Sequence, residues 1–257
     1  MKKILIVLLA AAMVLTMAAC TVSGDTEETT QEAIGSAPET TVPEETTGVE
    51  TEPETQPDAT AGTQPGYGEI LELYYEALSR RWNEEDLLSR SLSPLCASCY
   101  DGEPLKNVGY ALLDLNGDGA EELIIGAISG DAYVEEMVFD LYTLEDGKPV
   151  QVFAGQERNS LYLCAEEAGG YLLANQASVD AGHRAWYYDI LDGSDLKVVQ
   201  GILYDDTAEG GPWFMTYDTD WDTANDTPTD EDTALSITDS YLSCRMQPAY
   251  TPFESYK

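Results

Sequence analysis

Five residues between Asp114 and Glu122 have the types and the spacing needed to surround a cation. Oxygen side chains stand at positions 1, 3, 5 and 9 of this segment, on Asp114, Asn116, Asp118 and Glu122. Calcium is a hard cation that takes about six to eight oxygen ligands, and alternate loop residues can turn their oxygens toward one centre. Ala120, at position 7, would add its backbone carbonyl. The segment therefore predicts a calcium site.

The residues around this loop indicate which kind of calcium loop it is. A complete helix–loop–helix loop needs glutamate at position 12, but Ile125 occupies that position. Gly119, at position 6, allows the sharp turn, and the runs 111–113 and 123–125 are apolar and strand-like. We therefore expect a strand–loop–strand site. The alternative is a metal-free turn built on the Asn-Gly and Asp-Gly pairs.

A second acidic group, Asp218-Thr-Asp220-Trp-Asp222, lies in the stretch 205–232, which has ten acids and no base. Three carboxylates at alternating positions could bind a cation. Because no glycine follows to fold them around one, we interpret the stretch as a solvated acidic loop.

No motif of a known enzyme mechanism is evident, and we assign no catalytic residue. His183 is the only histidine, which excludes a histidine-rich metal site. No G-x-S-x-G elbow accompanies it, although a Ser–His–Asp arrangement stays open because triads are recognised by geometry. Acid pairs for glycoside hydrolysis cannot be selected among so many carboxylates.

Five cysteines divide into one near the N-terminus and four in the remaining chain, Cys96, Cys99, Cys164 and Cys244. Cys96 and Cys99 have CxxC spacing, but there is no thioredoxin-like pattern around them and no second CxxC to complete a zinc site. We expect at least one structural disulfide among the four. Four cysteines allow three pairings, and the sequence does not choose among them.

The N-terminus has the pattern of an export signal. Lys2 and Lys3 precede an uncharged run, residues 4–19, that is shorter than the roughly 20 residues of a membrane-spanning helix. Met17-Ala-Ala-Cys20 resembles the lipobox of bacterial lipoproteins, with methionine where leucine is usual. The resemblance implies cleavage before Cys20, a lipid on its thiol, and anchoring to the outer face of the cell membrane.

Residues 20–66 have the composition of a spacer. Thr21–Gly66 contains eleven acids, twelve threonines, five prolines and no base or aromatic residue. Such a segment buries too little apolar surface to offset its conformational entropy, so we expect a disordered tether. The remaining part, 67–257, is also acidic, which argues against nucleic acid as a partner.

Periodicity predicts one mainly β domain over 67–257, with a helical cap at 67–92. Leu71, Tyr75, Leu78 and Trp82 have helical spacing, and Asn83 can cap a second helix that turns Leu87, Leu88 and Leu92 inward. Residues 108–204 contain eight short apolar or alternating runs, which favour an antiparallel meander or a propeller-like sheet. The segment 205–257 adds the acidic loop and a C-terminal helix at 233–246. The predicted strands are 110–113, 123–128, 136–144, 149–154, 160–165, 171–176, 184–191 and 196–204.

The loop and its flanks, from Asp114 to Ala127, resemble the FG-GAP/VCBS-type repeat, in which such a loop binds calcium between two strands of a propeller blade. The resemblance implies that Asp114, Asn116, Asp118 and Glu122 are side-chain ligands and that Ala120 is a carbonyl ligand. Only one such motif is present, and a propeller needs several blades, so we do not expect a complete propeller.

The layout of lipobox, acidic linker, helix, calcium loop and strands is similar to that of uncharacterised lipoproteins of Gram-positive bacteria. This resemblance implies location and architecture, not an activity. We expect a non-catalytic binding or structural module of the cell envelope, shaped by calcium, with a cell-wall or other extracellular ligand. The alternative is a hydrolase acting on envelope polysaccharide or peptide.

Overall fold

The structure is a computed structural model that describes residues 66–131, 134–165 and 170–257. The predicted signal peptide at 1–19, the lipidation site Cys20 and the predicted tether up to residue 65 lie outside the described residues. In the described part, no helix is both long and apolar enough to cross a bilayer.

Four α-helices, three short 3-10 helices (Pro94–Cys99, Thr223–Asn225 and Phe253–Ser255) and twelve strands make up the described domain. The helices are α1 (Gly68–Arg80), α2 (Glu84–Leu88), α3 (Pro104–Asn107) and α4 (Glu231–Ser243). The strands are β1 (Val108–Leu113), β2 (Glu122–Ala127), β3 (Met137–Glu145), β4 (Lys148–Ala154), β5 (Asn159–Ala165), β6 (Tyr171–Ser178), β7 (His183–Asp192), β8 (Asp195–Asp205), β9 (Trp213–Thr216), β10 (Thr227–Pro228), β11 (Arg245–Met246) and β12 (Thr251–Pro252).

The helical cap forms much as its periodicity predicts. Helix α1 buries Leu71 and Leu78 as predicted, together with Tyr74 and Ala77, whereas Tyr75 and Trp82 are only partly buried. It ends where Arg81 adopts a left-handed conformation with φ of 51°. The side chain of Asn83 accepts a hydrogen bond from the amide of Asp86 at 2.9 Å, so it caps α2 as predicted. The prediction for Leu88 is wrong: α2 lasts only five residues, and Leu88 on its outer face is 53% exposed.

The strands form one antiparallel sheet in the order β10-β9-β8-β7-β6-β5-β3-β2-β1-β12. Strand β4 pairs with β3 beside this path, and β11 pairs with β5. All eight predicted strands are present, with ends shifted by one or two residues. Since the described strands form one continuous sheet and not several blades, the prediction of a mainly β fold that is not a complete propeller is confirmed.

Both faces of the sheet are apolar, because neighbouring residues of a strand point to opposite sides. One face packs against α1 and the segments around it, with Tyr74, Leu78, Phe139 and Phe253 at the centre of the larger core. The opposite face carries two smaller apolar clusters. The first includes Leu115, Ile124, Leu141, Leu161 and Leu173, and the second contains Ala185, Tyr187, Leu203 and Phe214.

Candidate functional site

The predicted calcium loop joins β1 to β2, and the pairing of Leu113 with Glu122 closes it. Gly117 and Gly119 have φ values of +73° and +89°, and a Cβ atom on either would meet nothing within 4 Å. The glycines are therefore required by the backbone conformation and not by lack of space. This agrees with the turn that the sequence predicts at position 6.

Side-chain oxygens inside the loop accept hydrogen bonds from backbone amides. The carboxylate of Asp114 accepts the amides of Gly117 at 2.8 Å and Gly119 at 3.0 Å. Asn116 Oδ1 accepts the amide of Asp118 at 3.0 Å, and Asp118 Oδ1 accepts the amide of Ala120 at 2.7 Å. These bonds turn the side chains at positions 1, 3 and 5 toward the inside of the loop.

Two residues fix the loop to the sheet. Leu115, at position 2, is 3% exposed and packs in the apolar cluster on the face opposite the helices. Glu122, at position 9, is 1% exposed; its Oε2 accepts the amide of Leu115 at 2.9 Å and its Oε1 accepts the hydroxyl of Thr143 at 3.1 Å. The ends of the loop are therefore rigid, while Asp118 at its tip is exposed.

The environment of Glu122 disfavours its negative charge. Burial raises the pKa of this carboxyl above its usual value, and the charges of Asp118 and Asp114 raise it further. The hydrogen bonds from Leu115 and Thr143 act in the opposite direction. A cation in the loop would offset the burial and the repulsion together.

The predicted ligands share one loop, but their carboxyl groups do not converge on a point. In the described part of the chain, no group of three or more His, Cys, Asp or Glu side chains is placed so that it could hold a metal ion. Asp114 and Asp118 turn toward loop amides, and Glu122 lies in the sheet.

The four remaining cysteines have two different states. Cys164 in β5 and Cys244 just after α4 form a disulfide, whereas Cys96 and Cys99 are free and buried. Burial raises the pKa of both free thiols to about 12. Because the reactive form of cysteine is the thiolate, the CxxC pair is inert near neutral pH.

The single histidine has carboxylates on both sides. Its Nδ1 lies 2.8 Å from Asp180 Oδ1 and its Nε2 lies 3.3 Å from Asp205 Oδ1. The hydrogen bond to Asp180 raises the pKa of His183 above its usual value. With both ring nitrogens engaged by carboxylates, this arrangement has no nitrogen free to act as base toward a serine.

Sequence reasoning missed a buried carboxylate that ties the helical cap to the sheet. Asp140 in β3 is fully buried, and it accepts the hydroxyl of Tyr74, the amide of Ser93 at 2.9 Å and the side-chain amide of Gln151 at 2.9 Å. Burial raises the pKa of Asp140 well above its usual value. Its three donors come from α1, from the segment after α2 and from β4, so its role is structural. Its position in an apolar strand gives no sequence signal for these partners.

An open cleft of about 530 Å³ lies where β7, β8 and β9 meet the start of α4. Three aromatic rings line it: Trp213 lies 6.2 Å from Trp186 and 4.7 Å from Tyr204, measured between ring centroids. The guanidinium of Arg184 lies 5.9 Å from the ring of Tyr204. The sequence predicts a packing role for the aromatic run Trp186-Tyr187-Tyr188. In the structure, Trp186 lines this cleft instead.

The cleft also contains acids, Asp230 and Glu231 at the start of α4. Asp230 caps the helix: its two oxygens accept the amide of Thr233 at 2.8 Å and the hydroxyl of Thr233 at 2.9 Å. These bonds hold the pKa of Asp230 below its usual value. A general acid for glycoside hydrolysis needs a raised pKa, so Asp230 does not suit that role.

Comparisons of the chain with protein-family models, with curated proteins and with solved structures found no match.

Proposed function

We propose that this protein is a lipid-anchored, non-catalytic binding module of the bacterial cell envelope, whose β domain is held in shape by calcium. The observation that supports binding best is the open aromatic cleft between β7–β9 and α4. Its rings offer flat apolar faces, while Arg184, Asp230 and Glu231 offer hydrogen-bonding groups at the edge. A sugar ring has the same combination of apolar faces and polar edges, so envelope polysaccharide is the ligand class that fits best.

Calcium at Asp114–Glu122 is the second part of this proposal. All candidate donors are oxygens, and a carboxylate oxygen that accepts one amide keeps a lone pair for a metal. Glu122 supports the assignment because its carboxyl is buried beside two other acids without a positive partner among its hydrogen bonds. The affinity expected of an extracellular module is roughly 10⁻⁴ to 10⁻³ M.

Calcium is tested by thermal melts of the full chain in calcium and in chelator. At a free concentration of 100 times Kd, one site stabilises the fold by about 2.7 kcal/mol. Asp118→Asn keeps the acceptor for Ala120 but removes a charged ligand, so it should lose most of this increment. Identical melts of the wild type in calcium and in chelator would contradict calcium binding.

Ligand binding is tested by sedimentation of the calcium-loaded protein with purified cell-wall polysaccharide. Trp213→Ala should weaken binding at least about tenfold, because it removes the ring that contacts both other aromatics of the cleft. Tyr217→Ala is the matched control, since Tyr217 is 61% exposed and outside the cleft. Equal binding by both variants would reject the cleft as the ligand site.

A hydrolase remains the alternative, and a turnover assay on the same polysaccharide or peptide material separates the two. Glu231→Gln should leave no measurable difference if the module is non-catalytic. Turnover that disappears in this variant, with the circular dichroism spectrum unchanged, would overturn the proposal.

Anchoring is tested with Cys20→Ala. This variant should be released into the medium or remain unprocessed. Normal processing with membrane attachment that survives a salt wash would contradict the lipid anchor.

A further inference from the structure

Four carboxylates follow β9, on Asp218, Asp220, Asp222 and Asp226. They stand at positions 1, 3, 5 and 9 of a loop, and the carbonyl of Ala224 stands at position 7. These are the positions that carry oxygens in the loop between β1 and β2. The stretch 205–232 contains no lysine or arginine, so nothing in the segment itself neutralises these charges.

Three hydrogen bonds between residues two positions apart turn the backbone of this loop. The amide of Asp220 donates to Asp218 Oδ1 at 3.2 Å, and that of Asp222 donates to Asp220 Oδ1 at 2.9 Å. The amide of Ala224 donates to Asp222 Oδ1 at 3.0 Å, which caps a single 3-10 turn over Thr223–Asn225. The last two bonds run from position 5 to 3 and from position 7 to 5, as in the first loop.

The loop folds back over the face of the sheet opposite the helices. Trp221 packs against the cluster of Ala185, Tyr187, Leu203 and Phe214. Thr216, which is fully buried, has its hydroxyl 3.4 Å from both the amide and the carbonyl oxygen of Asp218. The acids therefore lie above a floor made by β7, β8 and β9.

A buried hydroxyl group in this floor lacks a hydrogen-bond partner, which is evidence for a ligand apart from the acids themselves. Tyr187 is 2% exposed, and its hydroxyl has no hydrogen-bond partner. A Cβ on Gly201 would lie 2.7 Å from Tyr187 Cδ1 and 2.9 Å from Thr216 Cγ2, so the ring of Tyr187 lies beside Thr216. Burial raises the pKa of Tyr187, and the charges of Asp189, Asp218, Asp226 and Asp220 raise it further. The ring of Tyr187 in β7 therefore lies over Gly201 of β8, next to Thr216 of β9, and the hydroxyl of Thr216 contacts the backbone of Asp218 where the loop begins.

Other oxygens on this face also lack partners. They are Asp226 Oδ2, Asp189 Oδ1 and Asn175 Oδ1, on residues that neighbour Tyr187 through the sheet register or through the loop. With Tyr187, they make up four of the seven buried polar side-chain atoms without a partner in the described part of the chain. All four are oxygens. Buried polar groups normally have partners, so unpartnered oxygens are concentrated on this face of the sheet.

We propose that the loop Asp218–Asp226 holds a second divalent cation of the calcium class. The ligands are the carboxylates of Asp218, Asp220, Asp222 and Asp226 and the carbonyl of Ala224, and the hydroxyl of Tyr187 lies beneath them. A donor set made only of oxygens suits calcium and lacks the nitrogen and sulfur ligands typical of structural zinc sites. In the described part of the chain the four carboxylates do not converge on one point, so binding requires them to turn toward a shared cation. The proposal stands independently of the loop at Asp114–Glu122.

The test counts bound calcium on the full chain by isothermal titration and uses terbium luminescence to identify the loop. Trp221 lies within the second loop, so terbium bound there is excited through tryptophan at short range. Asp222→Asn keeps the acceptor for Ala224 but removes a ligand charge. Asp118→Asn makes the same change at position 5 of the first loop and is the matched control.

Asp222→Asn should weaken one calcium site at least about tenfold and remove the tryptophan-sensitised terbium signal, because affinity depends on ligand charge. Asp118→Asn should retain this signal. Calcium binding that is lost in Asp118→Asn but unchanged in Asp222→Asn would overturn the second site and leave the first intact. The reverse result would support the second site and reject calcium at the first.

Tyr187→Phe tests the floor of the site. Removing an unpartnered hydroxyl should not destabilise the protein in chelator, but it should weaken calcium binding several-fold if the hydroxyl serves the site. Unchanged affinity in a folded Tyr187→Phe variant would contradict the place given to this residue.

Discussion

The loop at Asp114–Glu122 and the loop at Asp218–Asp226 carry oxygen side chains at the same four positions, but they turn by different means. The first uses glycines with positive φ at positions 4 and 6. The second has no glycine and turns through a capped 3-10 segment, Thr223–Asn225. The backbone between these positions can therefore turn without a glycine at position 6.

The two loops also differ in how they end and what lies beneath them. Glu122 closes the first loop with both oxygens hydrogen-bonded in the sheet. Asp226 closes the second with one oxygen unpartnered, above a buried tyrosine that is also unpartnered. The first loop thus ends on a carboxylate whose two oxygens are hydrogen-bonded, whereas the second ends on a carboxylate with an unpartnered oxygen.

The largest difference between the loops should be in the free energy of unfolding that is lost when the apolar residue packing each loop onto the sheet is shortened to alanine. Leu115→Ala should lower the free energy of unfolding by about 3 to 4 kcal/mol, because it opens a cavity in a fully buried cluster. Trp221→Ala should cost about half as much, because Trp221 is only partly buried. Urea unfolding of the full chain in chelator measures both. Equal losses would show that the second loop is anchored as firmly as the first.

A comparable effect should appear in the pH dependence of the free energy of unfolding, through Asp189 on the face that the second loop covers. Burial raises the pKa of Asp189 from 3.8 to about 6. The folded state therefore holds the proton of Asp189 more tightly than the unfolded state, so this residue contributes a loss of stability as pH rises from about 4 to about 6. A difference of about two pH units corresponds to about 3 kcal/mol.

Urea unfolding in chelator at several pH values measures this dependence. Asp189→Asn keeps the size of the side chain and should remove the part of the pH dependence that Asp189 causes. A variant whose stability follows the same pH profile as the wild type would exclude Asp189 as its source.

The smallest effect concerns position 6 itself. Gly119→Ala should cost about 1 kcal/mol, because an L-residue is strained at φ of +89° although its Cβ meets no atom. Thr223→Ala, at position 6 of the second loop, should change stability by less than about 0.5 kcal/mol. Thermal melts of the two variants in chelator compare them. A larger loss for Thr223→Ala would mean that the second loop turns differently.

Local pattern predicted most of the architecture. All eight short apolar or alternating runs are strands, and Asn83 caps a helix as its position suggests. The strands that were missed, β9 to β12, have two to four residues each. They are too short to show a period, and they exist because neighbouring strands offer pairing partners.

By itself, the sequence determined the fold class, the turn at Gly119 and the spacing of oxygens in both loops, because these depend on residues close together in the chain. Only the tertiary structure decided which cysteines pair, since Cys164 and Cys244 are 80 residues apart. It also decided which oxygens lack a partner. Tyr187 and Asp226 are 39 positions apart in the chain, and only the packing of a loop onto a distant strand brings their unpartnered oxygens to one face. Burial, and with it the cost of an unpartnered group, is set by contacts that the linear pattern does not contain.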